Sequence, residues 1–414
     1  EMSLIGILDF TRSLDIISII GLPVSYHGTL LNCAAVIQKG KILGLVPKTF
    51  LPNYKEFYEQ RWFTSGDTHG HCNVLICGQM VPLSRHLLFN TPSCCFGVEL
   101  CEDAWAPIPP SSELALQGAE IIFNLSADNE GIGKHEYLKS LLAQQSARCL
   151  AGYVYAGAGF GESSQDLVFA GKALIYENGI LLAENERFSL KEQLIYSEID
   201  MDSLRTERRI NTTFSASVAR LTSRNILQID TELFASKDIE LSRSINPTPF
   251  IPSKDDMDER CEEIFAIQIG GLAKRLIHTQ TQTVVIGISG GLDSTLALLV
   301  CAKTFDKLGI PRKGIVGVTM PGFGTTGRTY TNALDLMQHL GITIREISIK
   351  KACLQHFQDL NLDVSNHNTT YENAQARERT QILMDIANQV NGIVIGTGDL
   401  SELALGWATY NGDH

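Results

Sequence analysis

A glycine-rich segment in the second half of the chain constrains the fold more than any other feature. The run Val284–Ser294 reads Val-Val-Ile-Gly-Ile-Ser-Gly-Gly-Leu-Asp-Ser, and the apolar stretch Leu296–Val300 follows it. This order predicts a buried strand, a tight glycine turn and a helix that begins at the turn. Because the first N–H groups of a helix have no intrahelical partner, the turn presents backbone donors that suit a phosphate.

Side chains of the same segment limit the kinds of phosphate ligand that the turn could bind. Ser289 and Ser294 add hydroxyl donors, whereas the carboxylate of Asp293 would repel a phosphate unless a divalent cation lay between them. The segment lacks the Gly-Lys-Ser/Thr ending of a Walker loop, so the phosphate need not be the γ-phosphate of a nucleotide. The alternative interpretation is a structural glycine turn before a helix.

Length and charge limit the number of domains and the kind of partner. At 414 residues the chain is long enough for two or three domains with cores of their own. Its 34 basic and 46 acidic residues give a net charge of −12 without a dense Lys/Arg run, which argues against a nucleic-acid partner.

The cysteine spacing and the hydropathy of the chain indicate its cellular compartment. The ten cysteines show no Cys-x-x-Cys or other zinc spacing, which favours free thiols, and no apolar stretch is long enough to span a bilayer. We therefore expect a cytoplasmic protein that does not bind membranes. Glu1 and the abrupt ending at His414 also lead us to expect a chain that is truncated at both ends.

The first half alternates β-rich runs with helical stretches. Strands are predicted over residues 16–24, 31–37, 42–46, 96–100, 121–125 and 152–155, with a hairpin over 172–183. Apolar residues at helical spacing predict a long helix from Lys134 to Leu150. We expect one α/β domain over residues 1–200 and a polar connecting segment over 201–255.

The second half predicts a Rossmann-like parallel sheet over residues 256–414. A predicted helix over 256–278 leads into the glycine-rich segment, and strands over 315–319, 343–347 and 392–396 then alternate with helices. Ligands of such sheets bind at the carboxyl ends of the strands. Polar clusters follow there, at Met320–Thr326, Tyr371–Arg379 and Gly396–Glu402.

Two residues of the last cluster suit nucleotide chemistry. Thr397 could hydrogen-bond a nucleotide, and Glu402 could join Asp293 on one metal ion. Alternatively, Glu402 is an acid in the first turn of a helix, where it interacts favourably with the helix dipole.

From about residue 260 onwards, these clusters resemble the synthetase domain of the NAD synthetases, which belong to the N-type ATP pyrophosphatase group. The resemblance implies ATP binding by Gly287, Ile288, Ser289, Gly290, Gly291, Leu292, Asp293, Ser294 and Thr397. It implies deamido-NAD binding by Asn373, Glu402 and Trp407, and Mg²⁺ binding by Asp293 and Glu402. The implied reaction adenylates the nicotinate carboxylate, releases pyrophosphate and lets ammonia displace AMP.

The first half offers a candidate nucleophile. Cys101 follows the apolar run Phe96–Leu100, at the exposed end of a predicted strand, and Lys48 could supply the positive charge that favours a thiolate. From the residues alone, an inert buried cysteine and a solvated turn lysine are the alternative.

Residues 1–200 resemble the nitrilase-type carbon-nitrogen hydrolase family in the segments Pro47–Pro52 and Glu99–Asp103. The resemblance implies an α-β-β-α sandwich and a Glu-Lys-Cys triad that hydrolyses glutamine. Cys101 would attack the glutamine amide to form a thioester, and Lys48 would help to stabilise the oxyanion. The implied glutamine contacts are Tyr54, Asp128 and Lys134.

Two features depart from the pattern of that family. The triad glutamate would lie on a strand before Glu1, so no general base is assigned, and Asp128 stands where the family usually has a serine. The first half could therefore be an impaired glutaminase.

Together the two resemblances imply an amidotransferase-ligase that uses ATP and Mg²⁺ and forms a homo-oligomer. Ammonia from glutamine would pass through the protein, because free ammonia is protonated at neutral pH and loses its nucleophilicity. The alternatives are an amidotransferase for a different acid, a synthetase that uses only ammonia, and a nucleotide-binding scaffold with an inert glutaminase half.

Overall fold

The computed structural model describes residues 1–162, 167–221, 225–232, 240–324 and 327–406, which form two units that divide between Ile245 and Asn246. In the first unit the helices are α1 (Met2–Thr11), α2 (Pro110–Leu116), α3 (Lys134–Cys149), α4 (Met201–Ile210) and α5 (Thr212–Ala219). Its strands are β1 (Ile17–Tyr26), β2 (Thr29–Gln38), β3 (Lys41–Pro47), β4 (Cys72–Ile76), β5 (Gln79–Leu83), β6 (Leu87–Asn90), β7 (Cys95–Leu100), β8 (Ile121–Ser126), β9 (Gly152–Gly157), β10 (Ala173–Glu177), β11 (Ile180–Glu184) and β12 (Leu227–Asp230).

The second unit alternates strands and helices. Its helices are α6 (Met257–Thr279), α7 (Leu292–Leu308), α8 (Gly327–Leu340), α9 (Lys350–Asp359), α10 (Thr369–Val390) and α11 (Leu400–Leu405). Its strands are β13 (Val284–Gly287), β14 (Ile315–Thr319), β15 (Thr343–Glu346) and β16 (Ile393–Ile395).

Two sheets form the first unit. One has the strand order β1-β2-β3-β5-β4, and the other has the order β11-β10-β9-β8-β7-β6-β12. In the second sheet β7, β8 and β9 run parallel, while β10 runs antiparallel to β9. The carboxyl ends of three strands and the beginning of β10 therefore meet at one edge.

The two sheets of the first unit stack between helices. Alternate residues of β2 point to opposite faces, so that Leu31 shares a core with Leu8 of α1 while Val36 packs with Phe96 of the seven-stranded sheet. On the far face of that sheet, Tyr153 shares a core with side chains of α2 and α3. The layers are thus α-β-β-α, which confirms the predicted sandwich.

The second unit is a parallel sheet with helices on both faces. Its strand order is β15-β14-β13-β16, and every pair is parallel. Val284 and Ile286 of β13 pack with α6, α7 and α8, whereas Val285 packs with α9 and α10. The order reverses between β13 and β16, which is where ligands of open α/β sheets bind. The predicted Rossmann-like architecture is confirmed.

Most predicted strands lie within two residues of the observed ones, but β4, β5, β6 and β12 were not predicted. Strand β12 lies within the polar segment 201–255 and pairs in parallel with β6, with Leu227 opposite Leu87. The domain borders at residues 200 and 255 stay predictions. No helix in the described ranges is long and apolar enough to cross a membrane.

Candidate active sites

Cys101 occupies a sharp turn directly after β7. Its φ angle is 46°, in the left-handed region that non-glycine residues rarely adopt and that costs about 1–3 kcal/mol. The Cys101 N–H donates a 3.1 Å hydrogen bond to Oδ1 of Asn124 on the neighbouring strand β8. The turn holds the half-buried Cys101 at the carboxyl edge of the sheet, as a nucleophile requires.

A buried hydrogen-bond chain supports this turn. Asn124 Nδ2 donates to the Tyr153 hydroxyl at 3.2 Å, and that hydroxyl donates to Glu99. The second oxygen of Glu99 accepts a 2.7 Å hydrogen bond from the Ser111 N–H. Burial raises the pKa of Glu99, and the Tyr153 hydroxyl opposes that shift. These hydrogen bonds hold Asn124 in place, and Asn124 in turn holds the backbone of Cys101.

Lys48 lies at the end of β3 and is buried, with a side chain that is 3% exposed. Its Nζ is 2.5 Å from Oε2 of Glu59, whose other oxygen accepts a 2.8 Å hydrogen bond from Asn32. The alternative of a solvated turn lysine is therefore wrong.

The environment of Cys101 acts on its pKa in two directions. Burial raises the pKa of the thiol, the Lys48 ammonium opposes that shift, and the Asp128 carboxylate adds to it. A cation beside the sulfur can stabilise a thiolate and a developing oxyanion.

Asp103 ties the loop of Cys101 to the loop of Lys48. Its carboxylate accepts hydrogen bonds from the N–H groups of Thr49 at 3.0 Å, Phe50 at 2.8 Å and Leu100 at 3.0 Å. Burial raises the pKa of Asp103 to about 7. These bonds bring together two loops that are far apart in the sequence.

Tyr54 lies beside a small cavity near these loops. Its hydroxyl donates a 2.7 Å hydrogen bond to Glu102, which is the main reason that the pKa of Tyr54 is raised to about 12. Both side chains line a cavity of about 550 Å³, together with Thr49 and Phe63. Of the Cys101 loop, Glu102 lines this cavity, and the remaining lining comes from residues 49–65.

Lys134 and Asp128 form an ion pair near the same edge. Lys134 Nζ donates to Oδ1 of Asp128 and, at 2.7 Å, to Oδ1 of Asn129. The ammonium also lies 5.6 Å from the ring centre of Trp105 and 5.7 Å from that of Phe57. The Asp128 carboxylate is already paired with a lysine, and its role in binding glutamine stays a prediction.

Sequence reasoning missed Glu59, Glu99, Tyr153 and Lys172. Glu59 lies in a stretch of mixed aromatic and charged residues, and only folding places it against Lys48. Glu99 had a signal, because a carboxylate inside the apolar run Phe96–Leu100 must find buried partners.

In the second unit, a cavity of about 1400 Å³ lies at the carboxyl ends of the strands. Of the predicted ATP-binding residues, the following line it: Gly287, Ile288, Ser289, Gly291, Ser294 and Thr397. Leu292 and Asp293 are exposed at the start of α7. The structure thus places Thr397 with the glycine turn, although about a hundred residues separate them.

The glycine turn depends on Gly290. Its φ is +86°, and a Cβ atom there would lie 2.1 Å from the carbonyl oxygen of Thr329. Ser294 Oγ donates to the Gly291 carbonyl at 3.2 Å and accepts from the Ser289 N–H at 3.3 Å. These bonds fix the turn that begins α7.

The predicted deamido-NAD residues Asn373 and Glu402 are not among the side chains that line the cavity. Asn373 is half-buried in α10, next to Glu372, which lines the cavity. Glu402 Oε2 accepts from the Asp399 N–H at 3.3 Å, and the Glu402 N–H donates to Asp399 at 2.8 Å. This capping box agrees with the first-turn interpretation of Glu402. Trp407 lies outside the described residues.

Among the residues that the structure describes, no group of three His, Cys, Asp or Glu side chains is placed to bind a metal ion. Magnesium commonly takes only one or two carboxylates and completes its shell with phosphates and water. The exposed Asp293 carboxylate, next to the glycine turn, fits that donor set.

Fold and sites together define an α/β protein with two candidate sites: a cysteine and lysine in an α-β-β-α sandwich, and a cavity beside the glycine turn of a parallel sheet. The chain belongs to the carbon-nitrogen hydrolase family, which matches residues 2–209. The NAD synthase family matches residues 266–414.

Curated relatives match nearly the whole chain. The glutamine-dependent NAD(+) synthetase of Mycobacterium leprae (strain TN) is 40% identical over 421 residues, which cover 99% of this chain and 62% of the relative. Its counterpart in Mycobacterium tuberculosis (strain ATCC 25618 / H37Rv) is 41% identical, with 97% and 61% covered. That of Aquifex aeolicus (strain VF5) is 29% identical, with 98% and 65% covered. The chain spans about three fifths of the length of these relatives.

Proposed function

We propose that this chain is the glutaminase and ATP-binding part of a glutamine-dependent NAD(+) synthetase. The observation that carries the proposal is the order of two sites in one chain: the Cys101–Lys48 pair in the first unit and the glycine-turn cavity in the second. The relatives named above match nearly the whole of this chain, across the regions of both family matches.

In the first unit, the thiolate of Cys101 attacks the side-chain amide carbon of glutamine. A C–S bond forms and the C–N bond breaks; the amide nitrogen takes up the proton that the Cys101 thiol has lost and leaves as ammonia, and a thioester remains. Water then hydrolyses the thioester to glutamate. The buried ammonium of Lys48, held by Glu59, stabilises the negative oxygen in both steps.

In the second unit, ATP occupies the cavity beside the glycine turn, with Thr397 as a further contact. Ser289, Ser294 and the free N–H groups at the start of α7 bind the phosphates that leave as pyrophosphate. Asp293 would hold Mg²⁺, with Glu402 as its proposed second carboxylate, and the ion would neutralise phosphate charge. The nicotinate carboxylate of deamido-NAD is adenylated, and ammonia displaces AMP to give NAD.

We assign Asn373, Glu402 and Trp407 to deamido-NAD, Tyr54 and Lys134 to glutamine, and the protein to a cytoplasmic homo-oligomer. The support for Tyr54 is the 550 Å³ cavity that it lines. The support for Lys134 is its position 5.7 Å from the ring centre of Phe57, which follows Tyr54 by three residues. For the deamido-NAD contacts, the support is that Glu372, the neighbour of Asn373, lines the larger cavity.

The test of this proposal is NAD formation from deamido-NAD, ATP and Mg²⁺ with either L-glutamine or ammonium as nitrogen donor. We expect turnover with both donors. Turnover with ammonium alone would leave an ammonia-dependent synthetase, and no turnover with either donor would favour a nucleotide-binding scaffold.

A further inference from the structure

A second buried lysine lies at the edge of the sheet that carries Cys101. Lys172 directly precedes β10, and its carbonyl oxygen accepts a 2.7 Å hydrogen bond from the Gly157 N–H at the end of β9. Since β10 runs antiparallel to β9, its beginning lies at the carboxyl edge of β7, β8 and β9. The Lys172 side chain is only 2% exposed.

The Lys172 ammonium lies between two carboxylates. Its Nζ is 3.5 Å from Oδ2 of Asp128 and 3.4 Å from Oε2 of Glu130, and these carboxylate side chains are 5% and 8% exposed. Within the described ranges these three atoms are buried and have no hydrogen-bond partner. Loosely paired buried charges cost stability, so packing alone does not explain them.

Lys172 supplies one of the two ammonium groups that face these two carboxylates. We call Asp128, Glu130, Lys134 and Lys172 the edge cluster; it holds two carboxylates and two ammonium groups. Arg187 also lies 3.5 Å from Glu130, but its side chain is 36% exposed and water screens its charge more strongly.

In the structure Lys134 donates to Asp128, and without Lys172 the charge of that carboxylate would be neutralised by Lys134 alone. The side chain of Lys134 is 24% exposed, on the side of Trp105 and Phe57. With Lys172 present, Asp128 is neutralised from its other oxygen and the Lys134 ammonium retains attraction for an incoming anion. Glutamine carries such an anion in its α-carboxylate.

We propose that Lys172 is a positioning residue of the glutaminase: it neutralises Asp128, so that Lys134 binds the α-carboxylate of glutamine. This inference rests on the function proposed above. It also explains how an aspartate can stand where the resemblance leads one to expect a serine, because the extra negative charge comes with a buried positive one.

The test uses 6-diazo-5-oxo-L-norleucine, a glutamine analogue with a free α-carboxylate. A thiolate attacks its diazo-bearing carbon, which takes up a proton; a C–S bond forms and N₂ leaves. Labelling of Cys101 is followed by mass spectrometry as a function of analogue concentration, which separates the binding constant KI from the maximal rate kinact. The reaction needs neither ATP nor deamido-NAD.

We expect Lys172→Met to raise KI by about tenfold and to leave kinact within about twofold. The double variant Asp128→Ser/Lys172→Met removes both charges and is expected to return KI to within about threefold of the original value. Lys139→Met is the matched control, because Lys139 pairs with Glu184 at 2.8 Å in a partly exposed ion pair outside the edge cluster, and its KI is expected to stay unchanged.

Each outcome has a distinct meaning. If the unaltered protein shows no saturable labelling of Cys101, or if glutamine does not protect it, the proposed glutaminase function is wrong. If labelling is saturable but Lys172→Met leaves KI unchanged, the role of Lys172 is overturned. If Lys172→Met does not fold, the KI of Asp128→Ser/Lys172→Met is compared with that of the unaltered protein. A KI that stays about tenfold higher overturns the inference.

Discussion

Lys48 and Glu59 form a buried ion pair, with Nζ 2.5 Å from Oε2 and side chains that are 3% and 15% exposed. The pair fixes a positive charge close enough to Cys101 to oppose the effect of burial on the pKa of the thiol. A lysine held in this way is ready to stabilise an oxyanion without reorganising during the reaction.

We expect Glu59→Gln to lower kcat/KM for glutamine by about a hundredfold, because the Lys48 ammonium would lose the group that orients it. Turnover with ammonium is expected to stay unchanged. Steady-state assays with both donors measure the effect. Asp67→Asn is the control, since Asp67 pairs with Arg85 in a partly exposed ion pair. Equal loss with both donors would show that Glu59 acts on the fold instead.

The pH dependence of Cys101 alkylation tests its electrostatic environment. Burial disfavours the thiolate and raises the pKa of Cys101, so the alkylation rate with iodoacetamide should rise only at a pH above the range of ordinary cysteines. Lys48 lowers this pKa, so Lys48→Met should move the midpoint to still higher pH. Peptide mass spectrometry reads the rate at Cys101, with the exposed Cys261 as reference for the reagent. A midpoint that stays in place or moves down in Lys48→Met would refute the role of the lysine.

Gly290→Ala is expected to raise the KM for ATP by at least about tenfold with either nitrogen donor. The new Cβ would lie 2.1 Å from the Thr329 carbonyl oxygen, and the φ of +86° strains any residue with a side chain. Gly270→Ala is the matched control, because a Cβ there meets no atom within 4 Å. Unchanged ATP kinetics in Gly290→Ala would remove the glycine turn from the ATP site.

Local patterns in the sequence predicted the parts of this structure that depend on local chemistry. The strand over residues 31–37 and the glycine turn at Gly290 were predicted from β-rich composition and backbone freedom, and the structure confirms both elements. Partners that are remote in sequence were not predictable: Lys172 meets Asp128 across 44 positions, and β12 meets β6 across about 140. Such pairs depend on strand order, which no short window of sequence contains.

The most direct test of the central claim is the choice of nitrogen donor in Cys101→Ala. We expect glutamine-dependent NAD formation to fall by about a thousandfold or more, because the nucleophile is lost, while ammonium-dependent formation stays within about twofold. Asp293→Ala, in the other unit, should lower turnover with both donors. Glutamine-dependent turnover that survives in Cys101→Ala would contradict the account.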